Sequence, residues 1–120
     1  MRPACLAAAA ALAMAAEVAS AHSLLLESEP RAGSVVVAAP ARLSLRFNNR
    51  IEKRLSRVRL LGPGNDAREL PVAPDDAGAD RVTASAPALP AGVYRVEWQV
   101  LSTDGHVVSG RFSFEVRPER

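Results

Sequence analysis

The chain has 120 residues, with 15 Lys and Arg against 13 Asp and Glu, for a formal net charge of +2. Aromatic residues make up 4%. That is too few for the stacking platforms that bind single-stranded nucleic acid.

The N-terminus reads as a targeting segment. One positive charge, Arg2, precedes a short apolar run from 4 to 16, and small residues follow at Ala19, Ser20 and Ala21. This is the pattern of a secretory signal peptide cut after Ala21. The run is shorter than the roughly 20 residues needed to span a membrane, so no membrane anchor is expected. Residues 22–120 would then be one small domain outside the cytoplasm, with His22 as its first residue. Cys5, Met1 and Met14 all fall within 1–21, so the remaining part has no thiol, thioether or disulfide. Its fold must rest on core packing.

Strands are expected from there on. Short candidates are Ser23–Glu27 and Val35–Val37. From position 42 a period of two takes over. Leu43, Leu45 and Phe47 alternate with Arg42, Ser44 and Arg46. Leu55–Leu61 is a further candidate, then Arg81–Ala84. Tyr94, Val96, Trp98 and Val100 alternate with Arg95, Glu97 and Gln99, and Phe112, Phe114 and Val116 with Arg111, Ser113 and Glu115. Such alternation marks strands with one buried and one wet face. Turn signals separate them: Pro30 to Gly33, Ala39-Pro40, Gly62-Pro63-Gly64-Asn65, Pro74-Asp75-Asp76 and Pro90-Ala91-Gly92. The stretch from Gly62 to Gly78 is the most polar and is expected to be an irregular, mobile connection. About seven strands with no helical period give an all-β fold, either an immunoglobulin-like sandwich or a small Greek-key barrel. Trp98 and Tyr94, on the buried face of a strand, are assigned to packing.

Six basic residues fall in RFNNRIEKRLSRVR: Arg46, Arg50, Lys53, Arg54, Arg57 and Arg59. The ordinary role is a solvated face or a strand edge whose charges block edge-to-edge pairing. The sharper one is a docking patch for an acidic partner or an anionic membrane surface.

Residues 22–120 hold two histidines, His22 and His106. A histidine at position one is chemically special, because its α-amine and its imidazole Nδ1 can close a six-membered chelate on one metal. Within an uncut chain that nitrogen would be an amide. Asp104 precedes His106 by two positions, so an extended segment would point both side chains the same way. Three nitrogens and one oxygen without sulfur suit Cu(II); Zn(II) can use the same groups but binds N/O donors less tightly. Each residue also has an everyday role: Asp104-Gly105 is good turn chemistry, and a histidine in a loop is more often plain surface. From the residues alone, the set amounts to a candidate metal site.

His22 after the cleavage site, SEPRAGSVVVAAPARLSLRFNNRI, and LPAGVYRVEWQVLSTDGHVVSGRFSFEV together resemble the CopC family of bacterial periplasmic copper-binding proteins. The most specific parts are the terminal His and the segment carrying Ser102, Asp104, His106, Gly110 and Phe114. The resemblance implies an immunoglobulin-like β-sandwich spanning 22–120. It implies a Cu(II) site formed by His22, Asp104 and His106, in a periplasmic copper carrier or buffer serving tolerance or uptake, and not an enzyme. Some members also carry a Met-rich Cu(I) site, for which 22–120 has no methionine. The family is often paired with a CopD-type inner-membrane protein, which leaves room for such a partner here. Two competing readings are a copper oxidoreductase, since an N-terminal histidine chelate also resembles the centre of lytic polysaccharide monooxygenases, and a metal-free immunoglobulin-like interaction domain. No Gly-x-Ser-x-Gly or His-Glu-x-x-His hydrolase motif occurs.

Overall fold

A computed structural model describes residues 24–74 and 78–118. The expected signal segment 1–21, His22 and the turn residues Asp75 and Asp76 lie outside the described residues. Eight strands form two sheets. They are β1 (Leu25–Glu29), β2 (Val35–Val36), β3 (Arg42–Phe47), β4 (Arg57–Leu61), β5 (Ala67–Leu70), β6 (Arg81–Ser85), β7 (Gly92–Leu101) and β8 (Val107–Val116). One sheet has the order β1-β3-β6 and the other β2-β8-β7-β4-β5. The chain crosses between sheets after β1, β2, β3, β5 and β6, so the fold is a sandwich rather than a closed barrel. Among the described residues no helix is long and apolar enough to cross a membrane.

The alternation seen in the sequence builds the core. Leu43, Leu45 and Phe47 from β3 face Tyr94, Val96, Trp98 and Val100 from β7, with Phe114 and Val116 from β8, and all are buried. Each such side chain contributes about 1.5–3 kcal/mol on leaving water. Trp98 and Tyr94 are core residues, as expected. The Trp98 ring meets Phe47 edge-on, with centroids 5.1 Å apart. Tyr94 stacks on Phe114 and donates its hydroxyl to the Pro90 carbonyl at 2.6 Å. That bond satisfies the one polar atom of a ring sunk in the core.

Three expectations need correction. The polar connection from Gly62 to Gly78 contains a strand, β5, which pairs along β4 from Val58↔Leu70 to Leu61↔Ala67. Of its four residues only Leu70 is buried, because an edge strand with an open outer side needs few apolar side chains. The first strand runs two residues later than expected. The basic stretch is not an edge device: β4 lies inside its sheet between β5 and β7. The sandwich also divides that stretch, since Arg46 stands on the three-stranded sheet against Glu27 at 3.2 Å, whereas Arg57 stands on the other against Glu69 at 3.0 Å.

The longest pairing is the β7–β8 hairpin, with Trp98 opposite Gly110. Glycine is needed there for space. A Cβ on Gly110 would overlap Trp98, lying 2.8 Å from Cε2 and 2.9 Å from Cη2. The buried indole also meets Phe47 edge-on and cannot give way cheaply. Gly110→Ala is therefore expected to cost about 1–3 kcal/mol through overpacking. Thermal unfolding should register a fall in Tm of roughly 4–8 °C for each kcal/mol lost in a domain of this size. An unchanged Tm would show that the indole moves freely.

Candidate metal centre

The β7 and β8 strands are joined by only five residues, Ser102 to His106. The turn is closed by backbone bonds from Ser102 N to His106 O and from Gly105 N to Ser102 O, both 2.9 Å. Gly105 takes φ +94°, a conformation that suits glycine and costs other residues. Asp104 and His106 therefore sit on a tight turn, not on the extended segment that the spacing suggested. They meet all the same, with His106 Nδ1 3.2 Å from Asp104 Oδ1.

Asp104 is the hub of the turn. Its Oδ1 accepts the Ser102 hydroxyl in a short hydrogen bond, and the His106 backbone N–H lies 3.3 Å away. The Ser102 hydroxyl, followed by the His106 ring, holds the Asp104 carboxyl below its ordinary value of 3.8. An ionised carboxylate can only accept. Hence His106 Nδ1 donates, and the neutral ring carries its lone pair on Nε2. Ser102 is fully buried, while Asp104 and His106 side chains stay 46% and 49% exposed. The anchor is inside and the donor groups are open to an incoming ion. Sequence reasoning noted Ser102 within the motif but gave it no role; a hydroxyl two residues before an acidic turn residue was the available signal.

A second line of contacts reaches this turn from the start of β1. Leu24 N donates to Asn48 Oδ1 at 2.7 Å, and Asn48 N to Leu24 O at 3.1 Å. The segment after Asn48 then joins the hairpin, with Ile51 bridging to Ser102 and Thr103 N donating to Arg50 O at 3.0 Å. The beginning of β1 and the Asp104–His106 turn thus belong to the same end of the sandwich. Among the described residues no three His, Cys, Asp or Glu side chains converge, and His22 lies outside them.

A family model described as the CopC domain matches residues 25–117. The chain belongs to the CopC domain family. Copper resistance protein C of Escherichia coli is 36% identical over 107 residues, covering 82% of this chain and 84% of that protein. The crystal structure of CopC from Methylosinus trichosporium OB3b matches with a TM-score of 0.78 at 33% identity, over 82% of this chain and 97% of that one. PcoC from Escherichia coli, a methionine-rich copper resistance protein, matches with a TM-score of 0.69 at 31% identity, over 80% of this chain and 99% of that one. The immunoglobulin-like sandwich expected from the sequence is thus the CopC fold.

The hub role of Asp104 is testable in the metal-free protein. Ser102→Ala removes the largest influence that lowers its carboxyl, so the Asp104 pKa should rise toward the ordinary value in a carboxyl NMR titration. The lowered folded value means that Asp104 adds stability above the unfolded pKa, and that this is lost as pH falls through the folded one. An Asp104 titration identical in the variant would remove Ser102 from this role.

Proposed function

We propose that the protein is an extracytoplasmic Cu(II) carrier or buffer, and not an enzyme. Cu(II) is its cargo. The proposed donors are the α-amine and imidazole Nδ1 of His22, the imidazole of His106 and the carboxylate of Asp104. The observation that carries the reading is the convergence at one end of the sandwich. Leu24, tied to Asn48, stands two residues from His22, and two extended residues reach at most about 7 Å. The same segment is tied to the turn bearing Asp104 and His106.

The donor chemistry agrees. Imidazole, amine and carboxylate suit Cu(II), and binding strength along the divalent series peaks at copper. The relatives' names, copper resistance protein C and CopC, point to the same cargo. In the metal-free protein the Asp104 carboxylate holds His106 Nδ1, and it would leave that bond to become a donor beside the His106 imidazole. The chelate requires cleavage after Ala21, so the proposal includes the signal peptide at 1–21 and the copper domain at 22–120. It also places the protein in the periplasm, where a CopD-type membrane protein is a fitting recipient.

Cu(II) titration of two proteins tests this. One begins at His22, and the other carries one added glycine before it. The first is expected to bind one equivalent. The second should bind more weakly by at least about a hundredfold, beyond the 10–100-fold typical of losing an outer-shell partner. His106→Ala should lose comparable affinity. Equal binding by the two termini would refute the terminal chelate, and with it the carrier reading.

A further inference from the structure

We propose that the outer face of the five-stranded sheet docks an acidic segment of a protein partner. The inward positions are filled by Val58 and Leu60 of β4, Val96 and Trp98 of β7, and Phe114 and Val116 of β8. The pleat therefore sends Arg57, Arg59, Arg95 and Arg111 outward. The register aligns Arg59, Glu97 and Arg111 in one row across three strands, and Arg57, Gln99 and Ser109 in the next. These two rows line a single furrow.

The furrow has more cations than its carboxylates can answer. Glu97 is shared, 3.6 Å from Arg59 and 3.2 Å from Arg95. Arg57 is paired with Glu69. Arg111 has no carboxylate partner among the described residues. Around it stand the Ser109 hydroxyl and the Gln99 amide, so guanidinium, hydroxyl and amide donors converge on one recess. That combination recognises carboxylates.

The form of the site selects the occupant. A recess admits side-chain carboxylates of an extended chain, whereas a membrane surface would meet only projecting tips. Trp98 also borders the furrow, but it is buried, its ring set against Phe47 in the core, and it offers no open face to stack a nucleobase. A second copy would bring the same surplus of positive charge against this one. The exposed Val93 and Val107 lie at opposite ends of the same face, 59% and 58% accessible, and can pack against apolar residues flanking an acidic segment. Val107 directly follows His106, so the docked segment would end beside the turn of the candidate metal centre. The arginine face stands without the copper reading, and its test uses no metal.

The test is a titration of 15N-labelled, metal-free protein with a 12-residue peptide of alternating Glu and Ser, at low salt. Amide shifts are expected at Arg57, Arg59, Glu97, Gln99, Ser109 and Arg111. Arg59→Glu/Arg111→Glu should raise Kd at least about tenfold, whereas Arg31→Glu/Arg50→Glu, equal in charge but off this face, should change it less than about twofold. Raising NaCl to about 200 mM should weaken binding several-fold by screening. Arg59→Gln/Arg111→Gln provides the same test if the reversed pair fails to fold. Three results would overturn the proposal: no shifts on this face, equal losses in both reversed pairs, or capture by phosphatidylglycerol vesicles with no response to the peptide.

Discussion

Ten consecutive antiparallel pairs tie β7 to β8, from Gly92↔Val116 to Leu101↔Val107. Three other features depend on that register. The inward side chains of the two strands supply Tyr94, Val96, Trp98, Val100, Phe114 and Val116 to the core. The outward ones align Glu97 with Arg111. The pairing runs to Leu101↔Val107, so only Ser102 to His106 remain to reverse the chain. A slip of one residue would exchange the two faces. It would put Arg111 where Gly110 admits the Trp98 ring, and that steric exclusion pins the register.

The turn is ordered by hydrogen bonds rather than by burial. Ser102 is the one fully buried polar group there, and its hydroxyl points to Asp104. Asp104 in turn fixes the His106 ring. Neither titratable side chain pays the full desolvation cost of an interior charge, and both remain open to an ion. A buried version would be more rigid but would close both groups to an incoming ion. On the proposed carrier reading, half-exposure combined with a fixed tautomer suits both the binding and the release of a metal.

Much of this was legible in the sequence wherever periodicity was strong. Leu43-Leu45-Phe47 and Tyr94-Val96-Trp98-Val100 could only be strands with one buried face, and the family motif in 102–114 named Asp104 and His106. Two things were not legible. AREL at 67–70 is polar because β5 is an edge strand, and its pairing with β4 is set by tertiary contact rather than by its own pattern. The arginine face joins Arg57 and Arg59 to Arg95 and Arg111, more than thirty positions later in the chain. Reading the nearby RFNNRIEKRLSRVR as one patch grouped residues that the sandwich sends to different sheets. The pair Asp104 and His106 was found for a different reason than its geometry: a tight turn, not an extended strand, brings them together.

The absence of sulfur donors bears on which oxidation state of copper such a site would hold. In residues 22–120 there is no methionine or cysteine, while the related PcoC is described as methionine-rich. Imidazole, amine and carboxylate favour the divalent ion, whereas the monovalent ion prefers thiolate and thioether. On the proposed reading, residues 22–120 would therefore hold the divalent ion in preference to the monovalent one, for which they have no thiolate or thioether to offer.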